Sequence, residues 1–408
     1  MHKFGLFLLM VWIIAIGACG NSKGKSEAVI KMAEEKQTEI LKPIEVGASQ
    51  LDEYLPKLLG KKVALMVNQT STIGKMHIVD TLLSKGVNIV KIFAPEHGFR
   101  GDHSAGAHVK STIDEKTGLP IASLYGATKK PTAEMLKGVE VIVFDIQDVG
   151  VRFYTYISSM HYLMEACAEN SIAMMVLDRP NPNGHYVDGP VLDIKFKSFI
   201  GMHPVPLVHG MTVGEFANMI NGENWLTGGT SCQLEVIKCK NYTHDSMYQL
   251  PIRPSPNLPT MASVYLYPSL GLFEGTVMSI GRGTEHPFEL LGKPNFGQGD
   301  FVFTPHKIPG VADEPKFENQ ECKGFILTEF ANTYIKTNKK LYLEWLRLSY
   351  QECKTETTPF FISSFDKLAG NDVLQKQIKQ GLTEAEIRQS WQPKLNEFKE
   401  LRKKYLLY

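Results

Sequence analysis

The sequence predicts an α/β fold built on a Rossmann-like parallel sheet, and three observations carry that prediction. Apolar residues switch between strand and helix periodicity several times between residues 61 and 178. The helical stretches stop at glycine, first Gly86 and then Gly138. Each strand runs straight into a short polar segment, as in the strand–loop–helix units that build a parallel sheet with helices on both faces.

The elements follow in order. Val63-Ala-Leu-Met-Val67 is continuously apolar, the pattern of a strand buried on both faces. Residues 77–85 place Ile78, Leu82 and Leu83 at helical spacing. Residues 87–94 form a second strand and residues 132–137 a short helix. Residues 139–144, 158–169 and 172–177 read as strand, helix and strand, and 233–238 alternates as a further strand between Cys232 and Cys239. Arg253-Pro-Ser-Pro-Asn-Leu-Pro259 is too rich in proline for a central strand or a helix. Thr383-Glu-Ala-Glu386 is a capping box opening a carboxy-terminal helix, interrupted at Pro393, with Trp391 and Phe398 at core spacing.

Parallel strands share one direction, so the segments that follow them gather at one edge, where open α/β sheets bind ligands. Four polar segments meet there: Asn68-Gln-Thr-Ser71, Pro95-Glu-His-Gly98, Asp145-Ile-Gln-Asp148 and Asp178-Arg-Pro-Asn-Pro-Asn-Gly184. One such loop often carries Asp, Asn or Ser as a helix cap, but four together point to a shared cleft. No G-x-G-x-x-G follows the first strand and no G-x-x-x-x-G-K-[ST] occurs, so the motifs imply neither a nucleotide nor a cofactor. His97, His103 and His108, close to Glu96 and Asp102, have the residue types of a zinc site. They lack a tight helical ligand pair, which makes a metal-dependent hydrolase the lesser reading.

The 408 residues carry 44 basic and 43 acidic side chains, a balance that excludes a global attraction to nucleic acid. At the amino end, the apolar run over residues 4–16 falls short of the roughly 20 residues that a bilayer-spanning helix needs. It suits a signal peptide and ends at Gly17-Ala18-Cys19, which resembles a bacterial lipobox. The expectation is a signal peptide over residues 1–18, lipidation at Cys19 and a polar tether over residues 19–43. The protein would then be anchored to a membrane of the bacterial cell envelope and face the periplasm. No two of the other five cysteines form C-x-x-C, at least one thiol of the odd number stays free, and Cys167 reads as a small buried residue.

The motifs taken together resemble those of the bacterial exo-β-N-acetylmuramidases. The residues that carry the resemblance are Val67-Asn-Gln-Thr70, Pro95-Glu-His-Gly-Phe-Arg100, Phe144-Asp-Ile-Gln-Asp-Val-Gly150 with Arg152, and Tyr154-Thr-Tyr156. It continues through Asp178-Arg-Pro-Asn-Pro182, Pro254-Ser-Pro-Asn257, Phe273-Glu-Gly-Thr276, Gly281-Arg-Gly-Thr284 and the closing Tyr405-Leu-Leu-Tyr408. The resemblance implies a Rossmann-like catalytic domain over residues 44–258 and a smaller mixed α+β domain over 259–408 that completes the cleft. The implied reaction removes a terminal, non-reducing N-acetylmuramic acid from peptidoglycan fragments, without a cofactor, during cell-wall turnover. The alternative from another class is a non-catalytic lipoprotein that binds cell-wall sugars in the same cleft.

Glycoside hydrolysis needs a proton donor at the leaving oxygen, usually with a second carboxylate. Glu96 is the candidate acid, at a strand end with Phe93 and Pro95 as apolar neighbours. Asp145 and Glu274 are candidates for the second group, with Asp148 next in line; the acetamido carbonyl of the substrate can also serve as nucleophile. Muramic acid differs from glucosamine by a lactyl carboxylate, which favours an arginine fork, and Arg152, Arg253 and Arg282 lie in the motif regions. Asn68, His97, Gln147, Asp148 and Tyr154 complete the expected substrate contacts, Tyr154 as a ring against a sugar face.

Overall fold

Period-two burial sorts the strand residues into two cores. The computed structural model describes residues 42–96, 98–99 and 112–408. In chain order its elements begin with α1 (Leu51–Leu58), β1 (Lys62–Val67), the hairpin β2 (Thr72–Ile73) and β3 (Met76–His77), α2 (Ile78–Ser84) and β4 (Asn88–Ala94). They continue with β5 (Thr112–Ile113), β6 (Pro120–Ser123), β7 (Val141–Asp145), α3 (Tyr156–Glu169), β8 (Ala173–Leu177), α4 (Val213–Gly222) and β9 (Leu234–Ile237). The main sheet has the order β5-β6-β4-β1-β7-β8-β9 and is parallel except at the edge pair β5–β6. Leaving out that edge strand, the parallel strands stand in the doubly wound order 3-2-1-4-5-6.

Ala64 and Met66 of β1 join one core with Ile142 and Phe144 of β7, while Val63, Leu65 and Val67 join the other with Val141 and Val143. The first face is covered by α3 and α4, through residues such as Met160 and Phe216; the second is covered by α1 and α2, through Tyr54, Leu58 and Leu82. This is the two-sided burial expected of near-continuous apolar strands.

The carboxy-terminal half includes α5 (Met261–Leu270), a small antiparallel sheet of β10 (Leu290–Lys293), β11 (Phe301–Phe303) and β12 (Cys322–Ile326), a short helical stretch over residues 328–338, and longer helices after it. These are α6 (Glu344–Cys353), α7 (Phe365–Ala369), α8 (Val373–Lys379) and α9 (Glu384–Arg402). The first core runs without a break from the sheet into this half, through Leu266, Phe273, Leu346 and Phe398. The chain ends against the sheet edge, where the Tyr408 hydroxyl donates to Asp178 Oδ2 at 2.7 Å and accepts from the Cys239 amide at 2.7 Å.

Two expectations are corrected, and one strand is added. Residues 132–137 form turns instead of a helix; in that segment only Leu136 is fully buried, so little packing offsets helix nucleation, whereas the five-residue α7 buries Phe365, Leu368 and Ala369. The capping box at Thr383 is present, but α9 continues through Pro393, an exposed position, without interruption. The short strand β6, with few apolar residues, lay outside the sequence reading. The five cysteines of the described residues are all buried thiols.

Candidate active site

The crevice at the switch point of the sheet, between the carboxyl ends of β1 and β7, is filled by its own side chains. Asn68 donates from Nδ2 to the Tyr156 hydroxyl at 2.9 Å, and its Oδ1 accepts from the Thr70 amide and hydroxyl at 2.9 and 2.6 Å. The Thr70 hydroxyl accepts from the Gln147 amide, the Ser71 hydroxyl donates to the Asp145 carbonyl, and Gln147 Nε2 donates to the carbonyls of Asp148 and Pro180. Asp145 is fully buried in a bidentate pair with Arg179, at 2.6 and 2.9 Å. A ligand cannot enter there without breaking this network.

The open cavity lies farther out along the same edge. It encloses about 760 Å³ of space, mouth included, and is walled largely by aromatic rings. Glu96 enters it from the end of β4, half-buried, with Oε2 accepting from the Thr155 hydroxyl at 2.9 Å. Thr155 is the residue that opens α3, so the helix start and the strand end together place this carboxyl. The Tyr125 phenol, two residues beyond β6, also bonds to Glu96, and burial with that charge holds the phenol well above its ordinary pKa.

Tyr154, Tyr156 and Tyr267 interlock edge to face beneath the cavity, with ring centroids 4.9 Å apart for Tyr154–Tyr156 and 5.7 Å for Tyr154–Tyr267. The Tyr154 hydroxyl donates to the Pro254 carbonyl at 2.8 Å, which ties this floor to the proline-stiffened segment. Tyr267 feels the charges of both Glu274 and Glu96, and burial together with those charges raises its pKa well above the ordinary value. Tyr267 is therefore electrostatically coupled to both acids.

The second acid is paired. Arg282 Nη2 donates to Glu274 Oε1 at 2.6 Å, and the guanidinium lies 5.2 Å from the centre of the Phe288 ring. Its Nε is buried and meets no acceptor among the described residues. The glycines on either side place this arginine. Gly281 and Gly283 both have positive φ, and a Cβ would come within 2.6 Å of the His286 carbonyl and 2.5 Å of the His306 carbonyl, respectively. Lys316 secures the Glu274 loop by donating to the carbonyls of Phe273, Glu274, Thr276 and Met278, and burial lowers its pKa to about 8.

The expected site residues thus divide. Glu96, Glu274, Arg282 and Tyr154 line the cavity. Asp145, Asn68 and Gln147 do not, because the switch-point network uses them. Arg152 is 1% exposed and donates to the carbonyls of Pro190, Val205, Leu368 and Ala369, so it clamps backbone rather than facing a ligand; burial lowers its pKa to about 9. Arg253 is exposed and outside the cavity lining. Asp148 is 5% exposed and off the lining; Oδ1 accepts from the Gly150 amide at 2.6 Å, Oδ2 has no partner among the described residues, and burial raises its pKa to about 7. His97, Arg100, Asp102, His103 and His108 lie outside the described residues, and among those described no cluster of His, Cys, Asp or Glu is placed to hold a metal.

Sequence reasoning missed Tyr125, Thr155, Phe199, Asn257 and Phe288 as lining residues. Thr155 and Asn257 stand inside quoted motifs, whereas Tyr125 was hidden with β6, and Phe199 sits on a loop with no pattern to mark it.

Comparison with known proteins covers nearly the whole described chain. The family profile described as exo-β-N-acetylmuramidase NamZ, N-terminal, matches residues 63–262, and its C-terminal counterpart matches residues 265–408. The peptidoglycan β-N-acetylmuramidase NamZ of Bacillus subtilis (strain 168) is 41% identical over 385 residues, which is 88% of this chain and 89% of that protein. Two crystal structures of DUF1343 family proteins from Bacteroides fragilis each cover 90% of this chain and 99% of their own. One has 47% identity and a TM-score of 0.83, the other 30% identity and a TM-score of 0.74.

Proposed function

The chain belongs to the NamZ family of exo-β-N-acetylmuramidases and is a glycoside hydrolase, and from that premise we propose which residues carry the reaction. Glu96 is the general acid that protonates the glycosidic oxygen as the bond to N-acetylmuramic acid breaks. The single observation that supports this most is its placement: a half-buried carboxyl, bonded by the Thr155 hydroxyl, opening into the aromatic cavity that also holds Glu274 and Arg282.

The anomeric carbon is attacked either by a water that Glu274 deprotonates, or by the acetamido carbonyl of the substrate itself as the bond to the leaving oxygen breaks, after which water opens the cyclic intermediate. Asp145 has no part in this, since it is neutralised by Arg179 away from the cavity. Arg282 reads the lactyl carboxylate. Its part-exposed guanidinium lines the cavity and keeps donors beyond the one spent on Glu274 for an incoming anion, while Glu274 and Phe288 fix the guanidinium plane. The interlocked tyrosines form an apolar floor for a sugar face.

The test is Glu96→Gln, which keeps the shape and removes the proton donor. Release of N-acetylmuramic acid from the natural disaccharide should fall by about 10²- to 10⁴-fold with fold and binding retained. A variant within a few-fold of the native rate would remove Glu96 from the role.

The reading extends to the amino end. Gly17-Ala18-Cys19 after an apolar run supports a diacylated Cys19 that holds the enzyme on an envelope membrane, since two acyl chains anchor firmly where one does not. Cys19→Ala should release the protein to the soluble fraction or block its processing. Unchanged membrane retention with an unmodified Cys19 by mass spectrometry would contradict the anchor.

A further inference from the structure

Among the polar side chains that line the Glu96 cavity, Tyr267 is the one whose hydrogen-bonding group meets no partner among the described residues. Each of the others is bonded at least once, as Thr155 and Tyr125 are to Glu96, Tyr154 to the Pro254 carbonyl, Asn257 to the Val311 carbonyl and Arg282 to Glu274. Tyr267 is only 7% exposed, and Phe153, Tyr154 and Phe288 hold its ring edge to face at 5.3, 5.7 and 5.0 Å. Its hydroxyl oxygen nevertheless keeps open surface. The charges that act on it are those of Glu96, Glu274 and Arg282, the charged groups of the lining, together with the buried Asp148. The hydroxyl therefore faces the cavity, and burial with the acids keeps it protonated, a neutral donor that lacks only an acceptor.

Its place selects that acceptor. On one side the Arg282 guanidinium lies 5.2 Å from the Phe288 ring, and Phe288 lies 5.0 Å from Tyr267. On the other, Tyr154 and Tyr156 lead on to the contact between Thr155 and Glu96. Tyr267 thus stands between the acid and the arginine. N-acetylmuramic acid carries its departing oxygen, its acetamido group and its lactyl ether on three successive ring carbons. With Glu96 at the first and Arg282 at the third, the roles given to them above and on which this inference rests, the acetamido group between falls to Tyr267.

We propose that Tyr267 is a further catalytic residue, whose hydroxyl donates to the acetamido carbonyl of the bound N-acetylmuramic acid and aims that oxygen at the anomeric carbon. One lone pair of the carbonyl takes the hydrogen bond and the other attacks. The new carbon–oxygen bond forms as the glycosidic bond breaks, the electron pair of the old bond leaves on the glycosidic oxygen, and that oxygen takes the Glu96 proton. Water then adds to the anomeric carbon of the cyclic oxazolinium ion, gives its proton to Glu96 and restores the acetamido group. Tyr267 contributes orientation, since an attacking atom held off its line loses most of its advantage.

The test is Tyr267→Phe, which keeps the ring and its packing and deletes only the hydroxyl. It is assayed beside the native enzyme on activated-phenol glycosides of muramic acid that carry N-acetyl, N-fluoroacetyl and N-difluoroacetyl groups. Fluorine makes the carbonyl a poorer nucleophile and a poorer acceptor, so native turnover should fall with each fluorine. The variant should be about 10- to 100-fold slower on the acetamido glycoside, and its deficit should shrink along the series because a poorer acceptor leaves less to lose. Its melting curve should not move, since the hydroxyl bonds nothing in the protein. A variant as fast as the native enzyme, a deficit equal across the series, a native rate that ignores fluorine, or a lower melting temperature would each overturn the proposal. The role of Glu96 is judged apart from this, by the leaving-group dependence of Glu96→Gln.

Discussion

Two kinds of acid stand along one edge of this sheet, and they differ in what already touches them. Asp145 and Asp178, at the ends of β7 and β8, are wholly enclosed. Arg179 grips Asp145, while Asp178 accepts from Thr212, Tyr408 and the amides of Arg179 and Gly214. Glu96 and Glu274 are half-buried and open into a cavity. A strand-end carboxylate is therefore no guide to chemistry until its hydrogen-bond partners are counted. The enclosed pair holds the edge of the sheet together, whereas Glu96, held by Thr155, and Glu274, held by Arg282, still face the cavity.

The largest effects should separate the two kinds cleanly. Asp145→Asn breaks a buried ion pair and leaves Arg179 uncompensated, a loss of about 3 to 5 kcal/mol, whereas the molecules that remain folded should turn over at the native rate. Glu96→Gln should do the reverse, with an unchanged melting curve and the loss of turnover given above. Urea unfolding beside steady-state kinetics on both variants checks this, and a catalytic defect in folded Asp145→Asn would break the comparison.

Asp148 adds a third case, because it is enclosed with only Oδ1 matched among the described residues. Burial lifts its pKa from 3.8 to about 7 in the folded protein, and each unit of difference from the unfolded chain is about 1.4 kcal/mol. The folded state binds the extra proton, so this contribution is full below pH 4 and is lost as the pH rises through 7. Asp148→Asn cannot titrate. Its melting temperature, relative to the native protein, should therefore climb between pH 4 and pH 8. A flat difference would mean that the carboxyl is not held protonated.

Arg282→Ala removes a charge-assisted contact to the lactyl group, of about 1.5 to 3 kcal/mol, or more than tenfold in affinity. The diagnostic is discrimination between muramic acid and glucosamine glycosides, which should collapse in a folded variant. The smallest effect belongs to Tyr408→Phe, which deletes one of the bonds on Asp178 and should cost about 1 to 2 kcal/mol with discrimination intact.

How much of this was legible in the sequence follows the same division. The unbroken apolar runs of β1, β7 and β8, separated by helical stretches, gave the parallel sheet, because residues one apart enter different cores and both cores demand apolar side chains. The gathering of polar loops at one edge was legible too, and so was the place of Glu96 among them, directly after β4. What the residues could not declare was which polar groups satisfy each other. Asp145 pairs with an arginine 34 positions away, and Arg152 spends its donors on carbonyls as distant as Ala369. Both were candidates by type and motif, and both are explained by contacts that only the folded chain makes. Tyr125 was missed for a simpler reason, since β6 is short and only half apolar, and its loop was never placed at the edge.

Leaving-group dependence is the sharpest measurement of whether Glu96 delivers the proton to the departing sugar. Native enzyme and Glu96→Gln are compared on the natural disaccharide and on a muramic acid glycoside of an activated phenol, which needs little protonation to depart. The loss should be large on the disaccharide and much smaller on the activated glycoside. Equal losses on both substrates would contradict it and pass the role of acid to Glu274.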